Sequence, residues 1–151
     1  MIKEIYHVGL VVSDLDRSVS FYKDVLGLEY KGEILMSGEA TDKLFNRPNA
    51  SCRVAYLNGS NELMAPPVEL IQFLDADVDK DKASLFKTSI AEICFRVDNI
   101  DMVYKHLREC GVECLSEPQE FDFTKDGFSR SKAIYFKDPD GIILELMESL
   151  D

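Results

Sequence analysis

Residues Tyr6–Gly27 read YHVGLVVSDLDRSVSFYKDVLG, and residues Ala91–Gly111 read AEICFRVDNIDMVYKHLRECG. Laid over one another, His7 falls on Glu92, Val12 on Val97, Leu15 on Ile100 and Asp16 on Asp101. Each stretch is an apolar run, an Asp-rich turn, a helix-period pattern and a closing Gly. The strands downstream of each stretch match too. Val54–Leu57 then VELIQF (Val68–Phe73) parallels Ala133–Phe136 then IILELM (Ile142–Met147), with Glu69 and Glu145 in register. Such self-similarity predicts a duplicated unit, an α+β fold of two tandem βαβββ modules. It puts His7, Glu69, Glu92 and Glu145 at two pairs of matching positions.

Working outward, Ile5–Val12 is a β-branched, mostly apolar run that reads as a strand. Asp14 or Asp16 caps the next helix, whose Leu15, Val19, Tyr22 and Leu26 recur about once per turn until Gly27 ends it. Gly32–Asn49 reads as a long polar loop with a short strand at Glu33–Met36. Cys52–Leu57 is a strand, 58–61 a turn, and Val68–Phe73 a return strand delayed by Pro66–Pro67. The charged run DADVDKDKAS (Asp75–Ser84) separates the halves. Residues 1–74 then form the first module, 75–87 the linker and 88–151 the second module.

In the second module, strand Ile90–Val97 precedes helix Ile100–Cys110, with Ile100, Val103, Leu107 and Cys110 on one stripe. A strand around Val112–Ser116, a polar loop Glu117–Arg130, and strands Lys132–Phe136 and Ile142–Glu148 complete it. The intervening KDPDG turn (Lys137–Gly141) has a Pro that presets φ, followed by an Asp and a Gly that tolerate a left-handed one.

Strand side chains alternate between faces. Tyr6, Val8, Leu10 and Val12 make the bulky face expected under the helix, leaving His7, Gly9 and Val11 on the other. Ala91, Ile93, Phe95 and Val97 likewise leave Glu92, Cys94 and Arg96 opposite. Leu144 and Leu146 pack under a helix while Ile143, Glu145 and Met147 look away, and Glu69 shares its face with Ile71 and Phe73. Four charged positions on uncovered faces at equivalent places of a repeat suggest a shared concave surface for metal binding or proton transfer.

Bulk properties narrow the function classes. A chain of 151 residues with 46% hydrophobic content builds one compact unit or two half-domains sharing a core. The net charge of −11 argues against nucleic acid or an anionic membrane surface as the main partner. No apolar stretch approaches the roughly 20 residues of a membrane span. The opening MIKEIYHVGL lacks a signal-peptide pattern, so a cytoplasmic location is expected. Cys52, Cys94, Cys110 and Cys114 show no CxxC spacing and read as buried or half-buried thiols of a reducing cytosol. Phe121, Phe123 and Phe128 either close over a ligand or pack their loop.

The chain resembles the vicinal oxygen chelate superfamily, which includes glyoxalase I, methylmalonyl-CoA epimerase, fosfomycin-resistance enzymes, extradiol dioxygenases and bleomycin-resistance proteins. The resemblance rests on HVGLVVSDLDRSVSFYKDVLGL (His7–Leu28), VELIQF (Val68–Phe73), EICFRVDNID (Glu92–Asp101) and YFKDPDGIILELME (Tyr135–Glu148). It implies one glyoxalase-like domain: a cupped mixed sheet around a central cavity, helices outside. It also implies a homodimer and a small-molecule substrate.

Carried over by position, His7, Glu69 and Glu145 match metal ligands. The remaining ligand, usually a His, falls on Glu92, which becomes a fourth ligand or a displaced base. The implied cofactor is a divalent ion: Mn, Mg, Ni, Zn or Fe. An imidazole with three carboxylates is a hard, negative donor set suited to Mg²⁺, Mn²⁺ or Ca²⁺, while Zn²⁺, Ni²⁺ and Fe²⁺ also accept His/Glu sets.

The expected function is a metal-dependent lyase or isomerase, lactoylglutathione-lyase-like or epimerase-like, abstracting a proton next to a carbonyl with a metal-stabilised enediolate. Glu92 and Glu145 are its candidate catalytic residues, and Arg96 neutralises Glu92, holds a substrate carboxylate, or is a rim or surface arginine. The alternative is a non-catalytic small-molecule-binding protein of the antibiotic-resistance type. An extradiol-type dioxygenase ranks last, because its iron triad needs the second His that Glu92 replaces.

Overall fold

The computed structural model describes residues 7–58, 68–78, 84–86, 90 and 92–151. The chain divides into two compact units, Met1–Lys80 and Asp81–Asp151. Tyr6 and Ala91 lie outside the described residues. So do parts of the expected turn (59–61), Pro66–Pro67 and parts of the charged run (79–83).

In the first unit, β1 (Val8–Val11) leads into α1 (Leu15–Ser20), then β2 (Glu29–Ser37), α2 (Glu39–Phe45), β3 (Ser51–Asn58) and β4 (Val68–Phe73). The sheet order is β1-β4-β3-β2, with β1 parallel to β4 and the other neighbours antiparallel. In the second unit, β5 (Ile93–Arg96), α3 (Ile100–Glu109), β6 (Gln119–Asp122), β7 (Arg130–Lys137) and β8 (Ile143–Ser149) repeat that plan. Their order is β5-β8-β7-β6, with β5 parallel to β8. The fold is α+β, two four-stranded mixed sheets built as tandem modules.

The repetition extends to individual hydrogen bonds at the helix starts. Asp14 caps α1 by accepting from the Arg17 amide, and Asn99 caps α3 by accepting from the Met102 amide. The amide of the first helical residue bonds to the last strand of its module. Leu15 N donates to Gln72 Oε1 at 3.0 Å and Ile100 N to Glu148 Oε2 at 2.8 Å. These bonds satisfy amides that the helix itself leaves without partners. Asp16 pairs with Arg53 at 2.8 Å and Asp101 with Lys132 at 2.7 Å, tying each helix start to the third strand.

Packing follows the alternation read from the sequence. Leu10 and Val12 are buried while Val11 is 46% exposed. Leu70, Leu144 and Leu146 are buried, and so is Ile143, which alternation alone places on the open face. On α3, Ile100 and Leu107 are fully buried but Cys110 is exposed beside His106. Of the four cysteines, Cys52 is buried and Cys114 half-buried, whereas Cys94 and Cys110 are exposed.

Three local differences have physical causes. The first helix turns π-helical over Phe21–Val25, with Leu26 N donating to Phe21 O. The first copy carries one more residue than the second between the buried positions Tyr22 and Leu107 and the closing Gly27 and Gly111. The π turn absorbs that extra residue. Gly32–Asn49, expected as loop, contains most of β2 and all of α2. β2 is an edge strand exposed along most of its length, so it shows no buried alternation. α2 has only seven residues and starts at Gly38 without a side-chain cap. Finally, the second strand of the second module is β6 rather than Val112–Ser116, which contributes a single bridge, Cys114 to Phe136.

The DPDG turn forms as expected. Asp138, 5% exposed, accepts at Oδ1 from the amides of Asp140 (2.9 Å) and Ile142 (2.8 Å), and Gly141 closes the turn at φ 83°. Asp138→Ala removes the acceptor of two shielded amides, an expected cost of about 1–3 kcal/mol. The melting temperature should fall by about 3–8 °C. An unchanged value in a thermal melt would contradict this role.

Candidate functional site

Parallel pairing of the first and last strands brings residues from the two ends of each module together. In the first unit Gly9 is the Cα partner of Glu69, and His7 lies two residues before Gly9 on the same side. His7 Nε2 stands 3.3 Å from Glu69 Oε2, with the Glu69 side chain only 12% exposed. Gly9 makes room for this arrangement. A Cβ there would lie 3.3 Å from both Glu69 Oε2 and Ile71 Cδ1.

In the second unit Cys94 is the Cα partner of Glu145, and Glu92 lies two residues before it, half-buried. Where the first module has bare backbone, the second has a thiol that donates a hydrogen bond to Glu145. Burial, that hydrogen bond and the charges of Glu145 and Glu92 push the Cys94 thiol up to about 12.

Each glutamate also faces a tyrosine across the antiparallel rung: Tyr56 opposite Glu69 and Tyr135 opposite Glu145. Burial, followed by the charges of Glu145, Glu92 and Cys94, raises the Tyr135 phenol above its ordinary value. Sequence reasoning missed both tyrosines. Their signal was the same repeat, since Val54–Leu57 and Ala133–Phe136 carry Tyr at the same place.

The structure thus joins His7 with Glu69 in one unit, and gathers Glu92, Glu145 and Cys94 along two neighbouring strands in the other. Among the described residues, no three His, Cys, Asp or Glu side chains stand grouped to hold an ion. The donor chemistry nonetheless fits a cation. Asp16, Glu33, Asp75, Asp101 and Glu113 are each paired with an Arg or Lys. Among the described residues no Lys or Arg pairs with Glu69, Glu92 or Glu145, although all three are shielded from solvent to some degree. Half-buried carboxylates without positive compensation are costly, and a divalent ion is one remedy.

Arg96 is exposed and lies two residues beyond Cys94, opposite Met147. Phe121 and Phe123 stack at 5.8 Å and are 43% and 46% exposed. A hollow of the first unit, about 480 Å³ and lined from Val12 to Val78, begins five residues beyond His7, and none of the four candidate residues lines it. No helix among the described residues is long and apolar enough to cross a membrane.

A family model described as the Glyoxalase/Bleomycin resistance protein/Dioxygenase superfamily matches residues 4–146. The Bacillus subtilis (strain 168) protein YraH is 29% identical over 147 residues, covering 97% of this chain and 99% of YraH. Mitochondrial methylmalonyl-CoA epimerase of Bos taurus is 26% identical over 152 residues, covering 95% of this chain and 73% of the epimerase. Among solved structures, a glyoxalase family protein from Bacillus cereus is similar at TM-score 0.84 and 22% identity, covering 100% of this chain and 97% of that one. The structural likeness speaks for the fold alone.

The Cys94 geometry makes a reactivity prediction. With its thiol near 12, only about one part in a thousand is thiolate at pH 9, so iodoacetamide should label it far more slowly than a peptide cysteine despite its exposure. Glu145→Gln removes both the hydrogen-bonded anion and its charge, so labelling at pH 9 should rise several-fold. Peptide-resolved mass spectrometry reads both rates; ordinary labelling of the unaltered protein at pH 8 would contradict the environment described.

Proposed function

Since the chain belongs to the Glyoxalase/Bleomycin resistance protein/Dioxygenase superfamily, we propose that it is a metal-dependent lyase or isomerase acting next to the carbonyl of a small oxo or acyl substrate. The observation that carries this reading is the trio Glu69, Glu92 and Glu145, each shielded from solvent and left without an Arg or Lys partner among the described residues. His7, Glu69 and Glu145 would hold the ion, with Glu92 as a fourth ligand or as the base. A divalent ion bound there supplies Lewis acidity, lowering the cost of negative charge on a substrate oxygen.

The chain's own groups do the rest. Glu92, half-buried and without a cationic partner, takes the proton at a carboxylate oxygen and returns it. Glu145 serves as the second acid/base candidate, with the Cys94 thiol beside its carboxylate and Tyr135 on the neighbouring strand. The relative named methylmalonyl-CoA epimerase supports the isomerase form of this chemistry. The reading carries with it a homodimer, which the family implies.

A second reading, a non-catalytic small-molecule-binding protein, draws on the exposed Phe121–Phe123 pair, a flat aromatic surface suited to a planar ligand. The readings part on metal dependence. In the metalloenzyme, EDTA lowers the melting temperature and Mn²⁺ restores it; in the binding protein neither matters. Plasma mass spectrometry on protein purified without chelator should find about one divalent ion per chain. Glu145→Gln should lose at least tenfold in metal affinity. Retention of metal in Glu92→Gln would leave Glu92 free as the base. A protein that stays metal-free in metal-replete medium overturns the enzyme reading.

A further inference from the structure

The second unit contains a cavity of about 310 Å³ lined by Cys94, Arg96, Ser129, Ser131, Met147 and Ser149. It lies on the same strand faces as Glu145. Register places Cys94 opposite Glu145, Arg96 opposite Met147, and Ser131 opposite Ser149. One end of the face is therefore acidic. The other holds a guanidinium, three serine hydroxyls and a thioether.

We propose that this cavity binds the carboxylate of the substrate, so that the substrate is a short-chain oxo or acyl compound bearing a second, free carboxylate. The inference rests on the metalloenzyme reading and names its substrate class. Arg96 is the one charged residue lining the cavity, and it forms no ion pair among the described residues. Its planar fork matches a carboxylate in two parallel hydrogen bonds, and serine hydroxyls can donate to the remaining lone pairs. A single guanidinium balances one negative charge. That favours a carboxylate over a phosphate dianion, the more so in a chain of net charge −11.

Spacing limits the substrate's length. Arg96 lies two strand residues beyond Cys94, about 7 Å along the face from the rung that carries Glu145. A carboxylate held at Arg96 thus leaves room for only a few carbons before the chain reaches the acidic end. The same layout sets the substrate's orientation. A carboxylate anchored at Arg96 turns the carbonyl end of the substrate toward Glu92 and Glu145. The side chain of Met147 forms the less polar wall along which a short carbon chain would lie.

The test is calorimetric titration of the full chain with succinate and with its uncharged counterpart succinamide. EDTA is present, so that chelation by a bound metal plays no part. Succinate should bind at least tenfold more tightly than succinamide. Arg96→Gln should abolish that preference, and Arg96→Lys should keep a part of it, since it retains the charge but not the fork. Arg96 is exposed, so both variants should melt as the unaltered protein does. Equal binding of the two compounds, a preference that survives Arg96→Gln, inorganic phosphate binding more tightly than succinate, or no succinate binding at millimolar concentration would each overturn the proposal. Failure of metal binding, measured separately, would instead strike the enzyme reading and leave an Arg96-dependent succinate preference intact.

Discussion

The parallel hydrogen-bonded pairing of the first and last strands in each module is the constraint on which everything else depends. It sets Gly9 beside Glu69 and Cys94 beside Glu145, although more than fifty residues separate the members of each pair. A slip of one residue would turn the glutamates to the helix side and bury carboxylates in the core. The register is therefore held by the apolar residues on the opposite face, Leu10, Val12, Leu70, Leu144 and Leu146. The caps that Gln72 and Glu148 place on the two helix starts fix each helix to the same last strand. Packing on one face of the sheet thus positions chemistry on the other.

The two modules have used this frame differently. Gly9 lets the Glu69 carboxylate reach His7, whereas Cys94 fills the equivalent place and donates a hydrogen bond to Glu145. The first arrangement pairs an acid with an imidazole. The second concentrates negative charge and shares one thiol proton within it. Elsewhere the chain pairs acids with Arg and Lys at its helix starts and strand edges. Glu69, Glu92 and Glu145 have no Arg or Lys partner among the described residues, which is why these residues, rather than the acidic composition as a whole, carry the functional reading.

Much of this was legible before any coordinates. Repeat register and strand alternation located the long, well-buried elements β3, β4, α3, β7 and β8 and the faces of His7, Glu69, Glu92 and Glu145. What escaped was structure that leaves little hydrophobic pattern: the exposed edge strand β2 outside the expected Glu33–Met36, the short helix α2 with its glycine cap, and β6, exposed at all four residues. The π turn escaped because a one-residue insertion in a helix leaves composition unchanged. Tyr56 and Tyr135 were hidden for another reason. Their place beside the glutamates depends on antiparallel register between strands, and the intervening turn, rich in Pro and Asn in one module, does not announce it. The Cys94–Glu145 bond was likewise invisible, since alternation gives a face but not a partner.

The central proposal is that the chain binds a divalent ion through its histidine and glutamate donors. Anomalous diffraction from crystals grown with Mn²⁺ tests it most directly. The account predicts a single manganese peak per chain, with His7, Glu69 and Glu145 as ligands at roughly 2.0–2.3 Å. A structure at saturating Mn²⁺ with no peak near these residues, or with His7–Glu69 and Glu92–Glu145 facing separate solvent surfaces, would contradict it.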